Sequence, residues 1–116
     1  MDREMNHSVP MAWIWEARLG TFRPSTKAFF CVEPHTLVPI DLIVPPKRNE
    51  NVELDEGGFG KARAMWILTR VYDAEPIPPI RLAPGAPHQV RDGFHRFYIS
   101  LALGYSHIPA DIETWT

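Results

Sequence analysis

The sequence predicts a mixed α/β domain of the α+β kind, a small sheet with helices packed against it, on three observations. Apolar residues recur at helical spacing over about 59–73 and again over about 94–103. Short apolar runs rich in β-forming residues lie before, between and after those stretches. Prolines and glycines mark the joins, twelve and seven of them in 116 residues. The resulting order is a strand-rich start, a helix, two strands, a helix and a last strand, which suits helices laid on a mixed sheet.

Each element has its own reason. Residues 11–19 (MAWIWEARL) and 27–33 (KAFFCVE) are apolar and β-prone, and the turn-prone stretch 20–25 separates them, so they predict two strands, an N-terminal hairpin. Residues 36–44 (TLVPIDLIV) predict a strand closed by Pro45 and Pro46, which remove ladder donors. In the first helix Phe59, Ala62, Met65, Trp66, Thr69 and Tyr72 form the expected core stripe, with Lys61, Arg63 and Arg70 on other faces. Residues 77–82 read as a proline-tolerant strand and 89–91 as a short strand entering a turn. The second helix places Phe94, Phe97, Tyr98, Leu101 and Ala102 on one stripe and ends at Gly104. Residues 108–113 (IPADIE) close the order as a strand.

Length and composition bound the function. A chain of 116 residues fits one core. Its 45% hydrophobic residues and mean hydropathy of -0.20 are globular values rather than those of a disordered chain. A net charge of -2 and a pI near 6.2 lack the basic footprint of a non-specific DNA binder, so any anion site must be local. The single cysteine, Cys31, excludes an internal disulfide and a Cys-based zinc cluster and favours a reducing compartment, so the expected location is cytoplasmic. No apolar run reaches the length of about 18 residues needed to span a bilayer, and the charged N-terminus has no small-residue cleavage site, so neither membrane nor signal peptide is expected. The acids Glu50, Glu53, Asp55 and Glu56 read as a solvated loop leading into a helix, with a divalent metal site as the alternative.

The stretch that carries chemistry is Val90-Arg91-Asp92-Gly93-Phe94-His95-Arg96, where a strand stops, glycine permits a sharp turn, and a helix starts. The first N–H groups of a helix have no partner inside it, and with the dipole they favour an oxyanion such as phosphate. His95 and Arg96 would add two donors in a first turn where positive charge is otherwise disfavoured by about 0.3–1 kcal/mol. Asp92 is the candidate catalytic residue, a general base or a help in holding Mg²⁺; the structural alternative has it capping the helix and pairing with Arg96 while His95 merely packs.

The run from Val90 to Ile112 (VRDGFHRFYISLALGYSHIPADI) resembles the signature of the ParB/sulfiredoxin superfamily: a strand, a Gly-x-His-Arg turn, a helix ending in Leu-Gly and an Ile-Pro-Ala strand. The likeness covers about residues 36–113, with the basic pair Lys47 and Arg48 after the first strand and Lys61 early in the first helix. It divides the chain into a ParB/sulfiredoxin-like domain at 35–116 and an N-terminal extension at 1–34, an added hairpin or a dimer-forming edge. By that resemblance Gly93, Phe94, His95, Arg96, Lys61, Lys47 and Arg48 form a nucleotide- or phosphate-binding set, with a nucleotide triphosphate and Mg²⁺ as the implied ligands. Phe94 stands where sulfiredoxins carry their reactive cysteine, so sulfinic acid reduction is excluded. The Glu-Arg-Arg of partitioning ParB proteins is missing, so sequence-specific partitioning is not expected.

A micromolar ligand needs about -8 kcal/mol, whereas one helix end with one or two charge-assisted bonds supplies about 3–5 kcal/mol. The other cations and an apolar seat for a base must therefore contribute, and Trp66 is the candidate seat, with a core position as its plainer alternative. The expected function is a nucleotide- or phosphate-ester-binding ParB-like domain, with phosphohydrolase, phosphotransferase or nuclease chemistry as its extension. The competing reading is a non-catalytic oligomeric protein, a homodimer joined through Trp13, Trp15, Phe29 and Phe30. Nucleic-acid binding through Arg63, Arg70, Arg81 and Arg91, and a metal held by His88, Asp92 and His95, are weaker alternatives.

Overall fold

The computed structural model describes residues 8–47 and 59–114. Arg48 and the acids Glu50, Glu53, Asp55 and Glu56 lie outside the described residues. The described residues form a mixed α/β fold: three helices and a four-stranded sheet. The first helix, α1, is Met11–Glu16, and strand β1 is Thr36–Pro39, followed by a single 3₁₀ turn at Ile40–Leu42. Helix α2 spans Lys61–Tyr72, strands β2 and β3 span Ile80–Leu82 and Val90–Asp92, helix α3 spans Phe94–Leu103, and β4 is His107–Ile112.

The sheet order is β1-β4-β2-β3. β4 lies between β1, which it meets antiparallel with Val38 opposite Ile108, and β2, which it meets parallel with Ile80 opposite Ala110. β3 folds back antiparallel on β2 and forms one edge. A parallel neighbour requires a crossover, and α3 supplies it, leaving the end of β3 and returning the chain to β4. Val38, Ile80, Leu82, Ile108 and Ala110 are buried on the sheet and meet Phe97, Ile99 and Leu103 of α3 and Ala64, Ile67 and Leu68 of α2. Each large apolar side chain so buried contributes about 1.5–3 kcal/mol.

The strands expected over 11–19 and 27–33 are corrected: no strand occurs among residues 8–34, and the N-terminal β element is replaced by a helix and irregular chain. Trp13, Ile14 and Ala17 are buried at i, i+1 and i+4, so packing against α2 selects the helical form over the β preference of its residues. Residues 27–30 attach to the sheet without forming a ladder: Lys27 O accepts from Ser106 and His107 N–H, and Phe30 O accepts from Ile77 N–H at 2.8 Å. The strand expected over 36–44 stops at Pro39, turns, and resumes only as a parallel bridge from Ile43 to His88.

All three helices end in the same pair of reverse hydrogen bonds, from the residue at positive φ and its successor back to the last turn. Only α3 uses glycine for this, Gly104 at φ 91°; α1 uses Arg18 at 67° and α2 uses Ala74 at 57°. The α2 stripe is also corrected. The helix buries Ala64, Ile67 and Leu68, whereas Ala62, Thr69, Trp66 and Tyr72 are exposed, so its inner face is rotated from the expected one. On α3, Leu101 is exposed and Ile99, Ser100 and Leu103 are buried in its place. Among the described residues no helix is long and apolar enough to cross a membrane.

Candidate functional site

A single glycine separates β3 from α3. Gly93 has φ 133° and ψ 29°, a conformation L side chains rarely adopt, and an added Cβ would lie 2.5 Å from Ile80 Cγ2. The turn therefore exists because position 93 has no side chain. It aims the first turn of α3 at the first turn of α2, whose N-terminal residue follows Gly60. The two ends are tied directly: Gly60 N–H donates to His95 Nε2 at 2.9 Å. As an acceptor, Nε2 carries no proton, which assigns the neutral ring's hydrogen to Nδ1.

Beneath this tie lies an aromatic cluster. Phe59 is fully buried and packs at 5.3 Å from Phe94, edge-on at 5.5 Å from His95 and edge-on at 5.8 Å from Tyr98. Tyr98 O–H donates to Pro46 O at 2.8 Å, which fixes the chain just before Lys47. Such pairs add about 0.5–1.5 kcal/mol each beyond burial, so the ends of both helices rest on a stiff base.

Above it opens a cleft of about 1360 Å³. Six basic side chains line it, Lys47, Lys61, Arg63, Arg81, Arg91 and Arg96, against three acids, Glu33, Asp92 and Asp111. The lining is thus cationic in a chain whose net charge is -2. Four of the cations have acidic neighbours: Lys61 Nζ lies 3.1 Å from Glu16, Arg81 and Arg91 both reach Glu113 at 2.6 and 3.4 Å, and Arg96 reaches Asp92 at 3.3 Å. Among the described residues, Lys47 and Arg63 have no ion-pair partner.

Apart from Arg48, which lies outside the described residues, the expected site residues now have a place. Gly93, Phe94, His95, Arg96, Lys61 and Lys47 are brought together along the cleft. His95 is 6% exposed and holds Gly60, so it acts as the strut between two helix ends rather than as an outward donor. Arg96 is a clamp: Nη1 donates to Pro78 O at 3.0 Å and Pro79 O at 2.8 Å, and Nη2 to Asp92 Oδ2. Three of its five N–H groups are so directed. Burial pulls Arg96 below the usual guanidinium range, and Asp92 opposes that shift. Asp92 makes no capping bond to α3; its exposed carboxylate faces Arg96.

The weaker alternatives fare differently. His88 Nδ1 is engaged with Ala83 O at 2.8 Å and His95 with Gly60, and among the described residues no group of three or more His, Cys, Asp or Glu is placed to hold a metal. Of the four aromatics assigned to a dimer surface, Trp13 and Phe29 are buried, and Trp15 and Phe30 are exposed. The Trp15 ring covers Gly20, where an added Cβ would lie 2.2 Å from it. Cys31 is half-buried, and burial pushes its thiol up, which favours the protonated form. The sequence reading missed Gly60, although a glycine just ahead of a helix is a capping signal. The prolyl carbonyls at 78 and 79, which hold Arg96, left no signal in the sequence. No protein-family model and no curated protein matches the chain.

Proposed function

We propose that the chain binds a nucleotide-class phosphate ester in the cleft between the N-terminal ends of α2 and α3, in the manner the ParB/sulfiredoxin resemblance implies. The observation that carries the reading is the convergence of two helix N-termini on one cationic cleft. A single end with one or two charged bonds holds phosphate weakly, at about 3–5 kcal/mol. A second helix end adds about 0.3–1 kcal/mol, and bonds from Lys47 and Arg63 add about 1.5–3 kcal/mol each. Together these reach the roughly 8 kcal/mol of a micromolar complex. Mg²⁺ would arrive on the ligand's phosphates, since no described carboxylate cluster is placed to hold it alone.

The reading is one of binding. Asp92, the carboxylate next to the turn in sequence, is turned to Arg96. Thermal denaturation with nucleoside mono-, di- and triphosphates, with and without Mg²⁺, tests it. A ligand at 100 times its dissociation constant should stabilise by about 2.7 kcal/mol, or about 10 °C at roughly 4 °C per kcal/mol. The Lys47→Ala, Arg63→Ala double variant should lose most of that shift. No shift with any nucleotide, or an undiminished shift in the double variant, would overturn the proposal.

A further inference from the structure

Trp66 is a half-exposed indole, 48% accessible, on the part of α2 that lines the cleft. An exposed tryptophan is costly to hold still, yet this one is braced. The Arg70 guanidinium stacks over its ring with Cζ 4.6 Å from the centroid. Arg70 is held in turn, Nε donating to Pro76 O at 2.8 Å and Nη1 lying 3.3 Å from Glu75 Oε1. Arg70 sits one turn further along α2 and is not part of the cleft lining, whereas Ala62 and Arg63, one turn back, are. One ring face is therefore covered from outside the cleft.

We infer that Trp66 is a stacking platform for a nucleobase, so that the cleft selects base-bearing phosphate esters over phosphosugars and inorganic phosphates. This rests on the phosphate reading of the same cleft. Trp66 lies five residues beyond Lys61, a rise of about 8 Å along α2 from its first turn, a span that a ribose 5′-phosphate bridges between a base and its phosphates. Every base has a π face that can stack on an aromatic ring, and Arg70 behind the indole holds that ring in place. The net charge of -2 favours a small free nucleotide over a polyanionic strand.

The test compares AMP with ribose 5-phosphate, which differ by the base alone, by calorimetric titration, in Mg²⁺ buffer, on wild type, Trp66→Ala and Trp66→Phe. One stacked base is expected to give wild type a preference for AMP of about 5-fold to 150-fold. Trp66→Ala should abolish that preference and leave ribose 5-phosphate affinity unchanged, and Trp66→Phe should keep part of it. Far-UV circular dichroism confirms that the variants fold. Equal AMP affinity in wild type and Trp66→Ala would overturn the platform while leaving the phosphate site standing. Binding of neither ligand by wild type would overturn both. Tighter binding of an oligothymidylate than of AMP would overturn the choice of a free nucleotide.

Discussion

Gly93→Ala tests the link between backbone and site most directly. At φ 133° an alanine is strained whatever its surroundings, at a cost of about 1–3 kcal/mol. Its methyl would also meet Ile80 at 2.5 and 2.6 Å, and Ile80 is fully buried between β3 and β4, so it has nowhere to retreat. Such overpacking costs about 1–3 kcal/mol more. The combined loss of about 2–6 kcal/mol is a large share of the roughly 5–15 kcal/mol that holds a domain folded. At about 4 °C per kcal/mol the melting midpoint should fall by about 8–24 °C. Gly60→Ala is the control, since its φ is -83° and its new Cβ would lie 3.8 Å from His95 Nε2, an ordinary contact; it should cost under about 1 kcal/mol. Differential scanning calorimetry on both variants decides the matter. A Gly93→Ala midpoint within about 4 °C of wild type, or an equal drop in Gly60→Ala, would refute the argument that an empty Cβ position builds the turn.

Two further predictions concern the groups around the site. Burial pushes the phenols of Tyr98 and Tyr105 above their ordinary value of 10.0. The folded protein then holds those protons more tightly than the unfolded chain does, so their contribution is intact below about pH 10 and is lost as pH climbs past it. Urea melts across that window should show the decline, and a Tyr98→Phe, Tyr105→Phe double variant should flatten it; an equally steep fall would be the contrary result. At neutral pH Tyr98→Phe should cost about 0.5–1.5 kcal/mol for the lost bond to Pro46 O. Ser100 Oγ is buried on α3 with no hydrogen-bond partner among the described residues, so Ser100→Ala should leave stability unchanged or raise it by about 1 kcal/mol. A loss larger than that in chemical denaturation would mean the hydroxyl is satisfied.

Local chemistry made much of this protein legible from its residues. Gly104, a ten-residue apolar stripe and the Gly93 turn bound α3 as the sequence predicts, because capping and helical periodicity are properties of neighbours along the chain. The strand at 107–112 and the juxtaposition of Gly93 with a helix start follow for the same reason. Contacts between distant segments decided the rest. Met11–Glu16 is helical because Trp13 and Ile14 find a core, and its end at Arg18, without glycine, carries no advance signal. The rotation of α2 that buries Ala64, Ile67 and Leu68 and exposes Trp66 depends on where α3 and the sheet lie. His95 and Arg96 stand out in the sequence as candidates, but their employment as strut and clamp requires the Gly60 amide and the prolyl carbonyls of 78 and 79, 35 and up to 18 residues away. Periodicity records which residues prefer to be buried; only the packed structure determines which partners use up their hydrogen bonds and which charges face the cleft.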